Sequence, residues 1–183
     1  MDGNAADKYT HFVDLCDTFN LPLLIFLDMP GFMLGSHAEQ IATMRRGARA
    51  LIASAECQVP KIEFMVRKSY GVAADAPNSI GLPNSLNLRF GWPSGEWGGI
   101  PIEGGVAAAY RREIEAAEDP EAHRLAIEER LLRLRSPFRA AHRGDVIDLI
   151  DPRETRSLAC RFVNLAQPKL RELAQRNKSA VRP

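Results

Sequence analysis

The stretch Gly71-Val72-Ala73-Ala74-Asp75 is the part of this chain whose residue types and order suit chemistry. It follows a β-rich run at 62–66, which reads as a buried strand. Gly71 then opens a helix of small residues. A helix N-terminus reached from a strand leaves backbone N–H groups with no intrahelical partner. The dipole behind those donors favours an anionic oxygen. Small side chains let a substrate approach the backbone closely, so the corner is an oxyanion hole in outline. A strand–glycine–helix corner is also ordinary α/β punctuation, and the pattern alone leaves both readings open. Asp75, two residues past Ala73, is either a polar helix-end residue or a group facing substrate. Other chemistry has little support. His11, His37, His123 and His142 are scattered without metal-ligand spacing, and no Ser/His/Asp arrangement is visible. Asp28 stands before Met29-Pro30-Gly31 and reads as a turn-former rather than an acid or base.

The elements that must position this corner are legible on either side of it. Apolar residues at Phe12, Val13, Cys16 and Phe19 have helical spacing within 5–19. Asn20-Leu21-Pro22 breaks that helix, and 23–27 is a continuous apolar strand. A loop from Asp28 to Gly35 follows. Ser36 with Glu39 makes a capping box for a helix running to about Cys57, roughly 30 Å long. Strand, loop, helix and strand make a βαβ unit with parallel neighbours and a right-handed crossover. Beyond Asp75, 76–85 reads as a loop, 86–90 as a strand and 97–100 as a short strand. Gly104-Gly105 opens a helix towards Ala117, Asp119-Pro120 caps the next, and 146–150 is a short β-prone run. Asp151-Pro152-Arg153-Glu154 caps the last helix, with Pro at its first position and Glu at its third. Residues 1–175 are expected to form one domain, with 176–183 a frayed tail.

At 183 residues the chain has ample length for a core, and 45% of it is hydrophobic. No apolar run approaches a membrane span, and the polar stretch after Met1 is not a signal peptide. A formal charge of +1 gives no case for nucleic acid. Cys16, Cys57 and Cys160 lie far apart and read as buried free thiols in a reducing compartment, which places the chain in the cytoplasm. Arginines 124, 130, 133, 135, 139 and 143 either face the phosphates of an anionic ligand or a partner, or make a solvated helix face. Glu129 with Arg133 is an ordinary i,i+4 pair that suits the second reading.

Taken in order, these residues resemble the C-terminal half of the carboxyltransferase subunit of biotin-dependent acyl-CoA carboxylases, the propionyl-CoA carboxylase β-subunit type. The resemblance runs along nearly the whole chain. It begins in 6–20 and continues through Asp28-x-Pro-Gly-Phe-x-x-Gly35 and Arg46-Gly-Ala-Arg49. It resumes at Val59-Pro-Lys61 and Arg67-Lys-Ser-Tyr-Gly71. Trp92-Pro-Ser, Glu103-Gly, Ser136-Pro-Phe and Asp151-Pro-Arg-Glu-Thr-Arg156 complete it. The resemblance implies an α/β crotonase/ClpP-like fold with repeated ββα units and flanking C-terminal helices. It implies that the backbone amides of Val72 and Ala73 hold the ureido oxygen of biotin. Asp75 then matches a position that tunes acyl choice, and Gly31, Phe32 and Gly35 match the loop beside the biotin site. Biotin would arrive on a partner protein, with acyl-CoA as substrate and no metal. The implied partners are an N-terminal carboxyltransferase half, a biotin carboxyl carrier and a biotin carboxylase, in a homo- or hetero-oligomer.

In that family the carboxyl group leaves carboxybiotin as carbon dioxide and adds to the enolate of the acyl-CoA, with no protein nucleophile. Two departures stand out. Val72 occupies a position that is usually glycine, which adds bulk while keeping the N–H. Pro101 in Ile100-Pro101-Ile102-Glu103 removes a backbone donor from a segment usually carrying Met-Gly. The second points to a branch with a different acyl substrate. A decarboxylase or transcarboxylase component, or a non-catalytic crotonase-like assembly subunit, stays open beside the carboxylase reading. Only one glycine corner is present where the reaction needs two oxyanion sites. The chain is therefore expected to need an N-terminal half, met through Trp92, Trp97, Phe138 and the leucine-rich helix around Leu131.

Overall fold

The computed structural model describes residues 1–77, 86–102 and 104–175. Helix α1 (Gly3–Thr18) is capped by the Asp2 carboxylate, which accepts the Ala5 N–H at 2.7 Å. Ala6, Thr10, Val13 and Cys16 form its inward stripe. Asn20 turns the chain with a φ of 54°, a left-handed conformation that Asn tolerates. Strand β1 (Leu23–Met29) follows, then the loop 30–35 and helices α2 (Ser36–Gln40) and α3 (Thr43–Glu56).

The expected single helix from Ser36 to Cys57 is thus two helices, and its expected cap is different too. Gly35, at φ 111°, is itself the N-cap, so Ser36 already lies in the first turn and no side-chain cap forms. Ala42 sits at φ 56° and ψ 41°, breaking the helix there. Tertiary packing outweighs local preference at this point. Past the break, α3 turns Gly47, Ala50 and Ala53 inward, and the Phe32 ring lies across Gly47.

Strand β2 (Lys61–Tyr70) is longer than its apolar run suggested, and helix α4 (Gly71–Asp75) begins at the next residue. β2 is parallel to β1 on one side and to β3 (Asn87–Gly91) on the other, with Phe26, Phe64 and Phe90 in register. The far end of β2 also pairs with β4 (Glu96–Gly98). Helices α5 (Gly105–Ala109) and α6 (Arg111–Glu115) replace the one helix expected from 104 to 117, split at Tyr110. Then come α7 (Pro120–Leu134), α8 (Pro137–Arg143) and β5 (Asp148–Leu149), which pairs with β3. The Asp151 capping box forms as expected, on a 3₁₀ turn at Pro152–Glu154 that leads into α9 (Thr155–Ala174). The expected tail 176–183, most of the loop 76–85, and Glu103 of the Glu103-Gly motif lie outside the described residues.

Parallel pairing buries both faces of β2, as its run of apolar residues requires. On one face Leu23 and Ile25 pack with Val13, Ala53 and Cys57 of the N-terminal helices. On the other, Ile62, Phe64 and Phe90 pack with Phe162 and Ala166 of α9. Cys16 and Cys57 are buried thiols as expected, but Cys160 is exposed, on the solvent side of α9. Trp92 is half-buried against the Ile62–Phe64–Phe90 cluster. Its indole N–H donates to Thr155 Oγ1 at 3.1 Å and pins the start of α9. Trp97 packs on the Leu27–Met65 cluster, and Leu131 on a small core of Ile102, Val106 and Ile127. The exposed aromatic side chains are Phe12, Phe19, Phe26 and Phe138. No helix among the described residues is long and apolar enough to cross a membrane.

Candidate functional site

The corner at the end of β2 is held rigidly by its neighbours. Tyr70 is extended and almost wholly buried, and Gly71 then takes φ +61° to start α4. A Cβ on Gly71 would lie 3.2 Å from the Gly99 carbonyl oxygen, so both backbone angle and space call for glycine here. The N–H groups of Val72 and Ala73 lie in the first turn, and no acceptor meets them among the described residues. Val72 has an exposed side chain, while Ala73 is buried.

A polar network that the sequence did not announce fixes this corner from the far side. The Tyr70 hydroxyl donates to Glu96 Oε2 at 2.9 Å and accepts from Arg135 Nη1 at 3.2 Å. Arg135 also reaches Glu96 Oε2 at 3.1 Å, and its carbonyl accepts the Trp97 N–H. Burial pushes the Tyr70 hydroxyl above its ordinary value, with Arg135 opposing. Gly98 lies under the Tyr70 ring, where a Cβ would come within 2.8 Å of Cε1. β4 and the end of α7 are thus fastened to the last residue before the free amides.

On the other side, Asp28 accepts from Arg67 Nε, shared between its two oxygens, from Arg67 Nη2 and from the Lys68 N–H. The Arg67 hydrogen bond holds the Asp28 carboxyl below its ordinary range. The pairing bridges an irregularity in the β1–β2 register between Leu27 and Met29. Asp28 is therefore structural, but it lies inside β1 and ties that strand to β2 rather than forming the expected turn. The loop that follows brings Gly31 (φ +124°) beside the corner, where its Cβ would stand 3.8 Å from the Tyr70 carbonyl oxygen. Phe32 and Gly35 do not join it. Phe32 covers Gly47, and Gly35 is the exposed cap of α2.

The corner opens on a cavity of about 1320 Å³. Gly71, Val72 and Asp75 line it together with Gly98, Gly99 and Ile100. Arg135, Arg139 and Arg143 line it too, so three of the six arginines noted in the sequence face this space. The others run along α7, where Arg133 pairs with Glu129 at 2.6 Å as expected for a solvated face. Pro101 packs on Gly105 and is not a lining residue, whereas Ile100 and Ile102 are. None of the four histidines lines the cavity, and His123 pairs with Glu113 at 2.8 Å. Among the described residues no group of three His, Cys, Asp or Glu could hold a metal ion. Val72, whose N–H has no partner among the described residues, a carboxylate from Asp75 and guanidinium groups border one space, whereas Ala73, with its N–H also unmet, is buried and does not line it. Such a site stabilises a developing oxyanion and orients an anionic substrate without a protein nucleophile.

The carboxyl transferase domain profile matches residues 1–181. The methylmalonyl-CoA carboxyltransferase 12S subunit of Propionibacterium freudenreichii subsp. shermanii is 41% identical over 157 residues, which are 85% of this chain and 30% of that subunit. A propionyl-CoA carboxylase carboxyltransferase subunit of Haloferax mediterranei is 40% identical over 158 residues, covering 86% of this chain and 30% of its own length. The crystal structure of transcarboxylase 12S, a hexamer with methylmalonyl-coenzyme A bound, superposes with a TM-score of 0.75 at 35% identity. It covers 100% of this chain and 33% of its own. The chain spans 30% of the length of each of these two relatives.

Proposed function

Because the chain belongs to the carboxyl transferase domain family and has its crotonase-like fold, we propose that it forms the biotin-side part of an acyl-CoA carboxyltransferase. The observation that carries this reading is the Gly71 corner, with two unclaimed amides of which that of Val72 belongs to a residue lining a large cavity. Biotin, carried on a partner protein, supplies the carboxyl group and a base when it is bound. The residues present fit it. The Val72 and Ala73 N–H groups hold its ureido oxygen, and Gly71 lets that oxygen approach the backbone. Gly31 keeps the loop at 30–35 close without a side chain in the way. Phe32 and Gly35 act on the site indirectly, by seating that loop on α3 and starting α2. Asp75 borders the acyl group of the CoA thioester. Negative charge developing on the bound oxygen is met by fixed dipoles that need no reorganisation.

The further partners in this reading are an N-terminal carboxyltransferase half, a biotin carboxyl carrier and a biotin carboxylase, within an oligomer. The cytoplasm suits a chain with three free thiols. The 12S relative supports a second reading, transfer between two acyl groups. Residues alone do not separate the two.

The test is Val72→Pro in the assembled enzyme. Proline is tolerated in a helix's first turn, and the Val72 side chain has open space, so the fold should stand. Loss of one oxyanion donor should lower the transfer rate on the order of a hundredfold or more while acyl-CoA binding is kept. Val72→Gly should retain the rate. Equal turnover in the proline variant would sink the assignment of these amides. A panel of acyl-CoAs with carboxybiotin, scored for carboxylated product, identifies the acyl group accepted.

A further inference from the structure

Among the described residues four arginines line the cavity, and three of them are already engaged. Arg89 Nε donates to Glu63 Oε2 at 2.6 Å. Arg135 reaches Glu96 Oε2 at 3.1 Å and the Tyr70 hydroxyl at 3.2 Å. Arg143 Nε stands 3.6 Å from Asp145 Oδ2. Arg139 is the fourth. It is exposed, and its side chain has no hydrogen bond or ion pair among the described residues. Its place in the fold sets it beside the glycine corner. The Arg139 N–H donates to the Ser136 carbonyl at 3.1 Å, so this residue follows directly on the Arg135 junction that fastens Tyr70. Helix α8, which carries it, adds Ala141 to the apolar cluster that holds Ala74 of α4. Ile100, Ile102, Leu131 and Leu134 line the same cavity. A charge with apolar side chains around it is screened less than one on an open surface.

We propose that Arg139 is a specificity residue for the carboxylated thioester, its guanidinium taking the carboxylate that the acyl group bears on one side of the transfer. The inference rests on the carboxyltransferase reading above. Whichever way transfer runs, one of its thioesters carries the transferred group as a carboxylate on the α-carbon. A carboxylate that leaves water must meet a cation or several donors. Asp75, which lines the same cavity, repels such a group, so an unpaired cation is needed to offset it. The arginine fork meets both carboxylate oxygens at once, which a single point charge does not. Arg139 is the cavity arginine that can do so without first breaking an ion pair.

The experiment is equilibrium binding to the assembled enzyme of thioester pairs that differ by the carboxylate. Acetyl-CoA is set beside malonyl-CoA, and propionyl-CoA beside methylmalonyl-CoA. Arg139→Gln should weaken the carboxylated member about tenfold, the scale of one hydrogen-bonded contact to a charge, and leave the plain member unchanged. Arg139→Lys keeps the charge without the fork and should recover part of that loss. The side chain is exposed and unpaired among the described residues, so both variants should melt with the parent enzyme. Equal weakening of both members overturns the proposal, because the contact is then to the phosphates that both carry. No change in either member also overturns it and leaves Arg139 on a solvated helix face. An enzyme that keeps the Arg139-dependent preference yet carboxylates no thioester would strike the functional reading instead, because binding is measured separately from transfer.

Discussion

At the residue scale, the site depends on backbone groups more than on side chains, and that decided what was legible. Gly71 was readable because its neighbours are small and a helix begins there. The structure adds why a side chain would be strained there, through its φ of +61° and the Gly99 carbonyl at 3.2 Å. Asp75 was readable only as a choice between helix end and substrate wall. It is exposed and lines the cavity, which supports the second role. Asp75→Ile should accordingly shift the ratio of kcat/KM between short and longer acyl-CoAs by roughly tenfold, the scale of contacts worth one to three kcal/mol. An unmoved ratio would make the residue structural. The Tyr70–Glu96–Arg135 network was not legible, because its members are 26 and 65 residues apart and no local pattern joins them. Glu63 and Arg89 were within reach. Each is a charge inside a β-rich run, and aligning Ile62 with Leu88 would have paired them.

At the element scale, periodicity found the strands and the main helices, because both faces of β2 are largely buried and the inner stripe of α1 had to be apolar. Breaks inside helices were missed. Ala42 has no turn signal and takes a left-handed angle because packing on either side of it demands one. The Phe32–Gly47 contact shows what that packing is for. It seats the loop 30–35 on α3, so the loop can present Gly31 to the corner. A Cβ on Gly47 would fall 2.4 Å from Phe32 Cζ, a distance no real contact allows. Gly47→Ala should therefore displace the ring and cost about 1–3 kcal/mol, as overpacking does. Thermal or denaturant unfolding measures that cost. An unchanged midpoint would mean the loop is free to move aside, and then it would not be a fixed wall of the site.

At the scale of the whole molecule, the described residues divide into a sheet with its flanking helices and an arm of α5, α6 and α7. The arm has a small core of its own, Ile102, Val106 and Ile127, with Leu131 against it. Its existence was legible from caps such as Asp119-Pro120, but its placement was not, since that depends on long-range polar contacts. The arm meets the sheet at β4, where Trp97 N–H bonds the Arg135 carbonyl and the Arg135 side chain holds Glu96 and Tyr70. The cavity is lined from both sides of this junction. Few apolar contacts across a joint make it the place where a fold opens first. Hydrogen exchange should therefore show α7 amides opening at lower free energy than those of β1, β2 and β3. Arg135→Ala removes hydrogen bonds to a charged partner and should speed exchange across α5–α7 roughly tenfold, leaving the sheet amides unchanged. If the sheet loses protection equally, the arm and sheet open as one unit, and the Arg135 junction is not what closes the cavity.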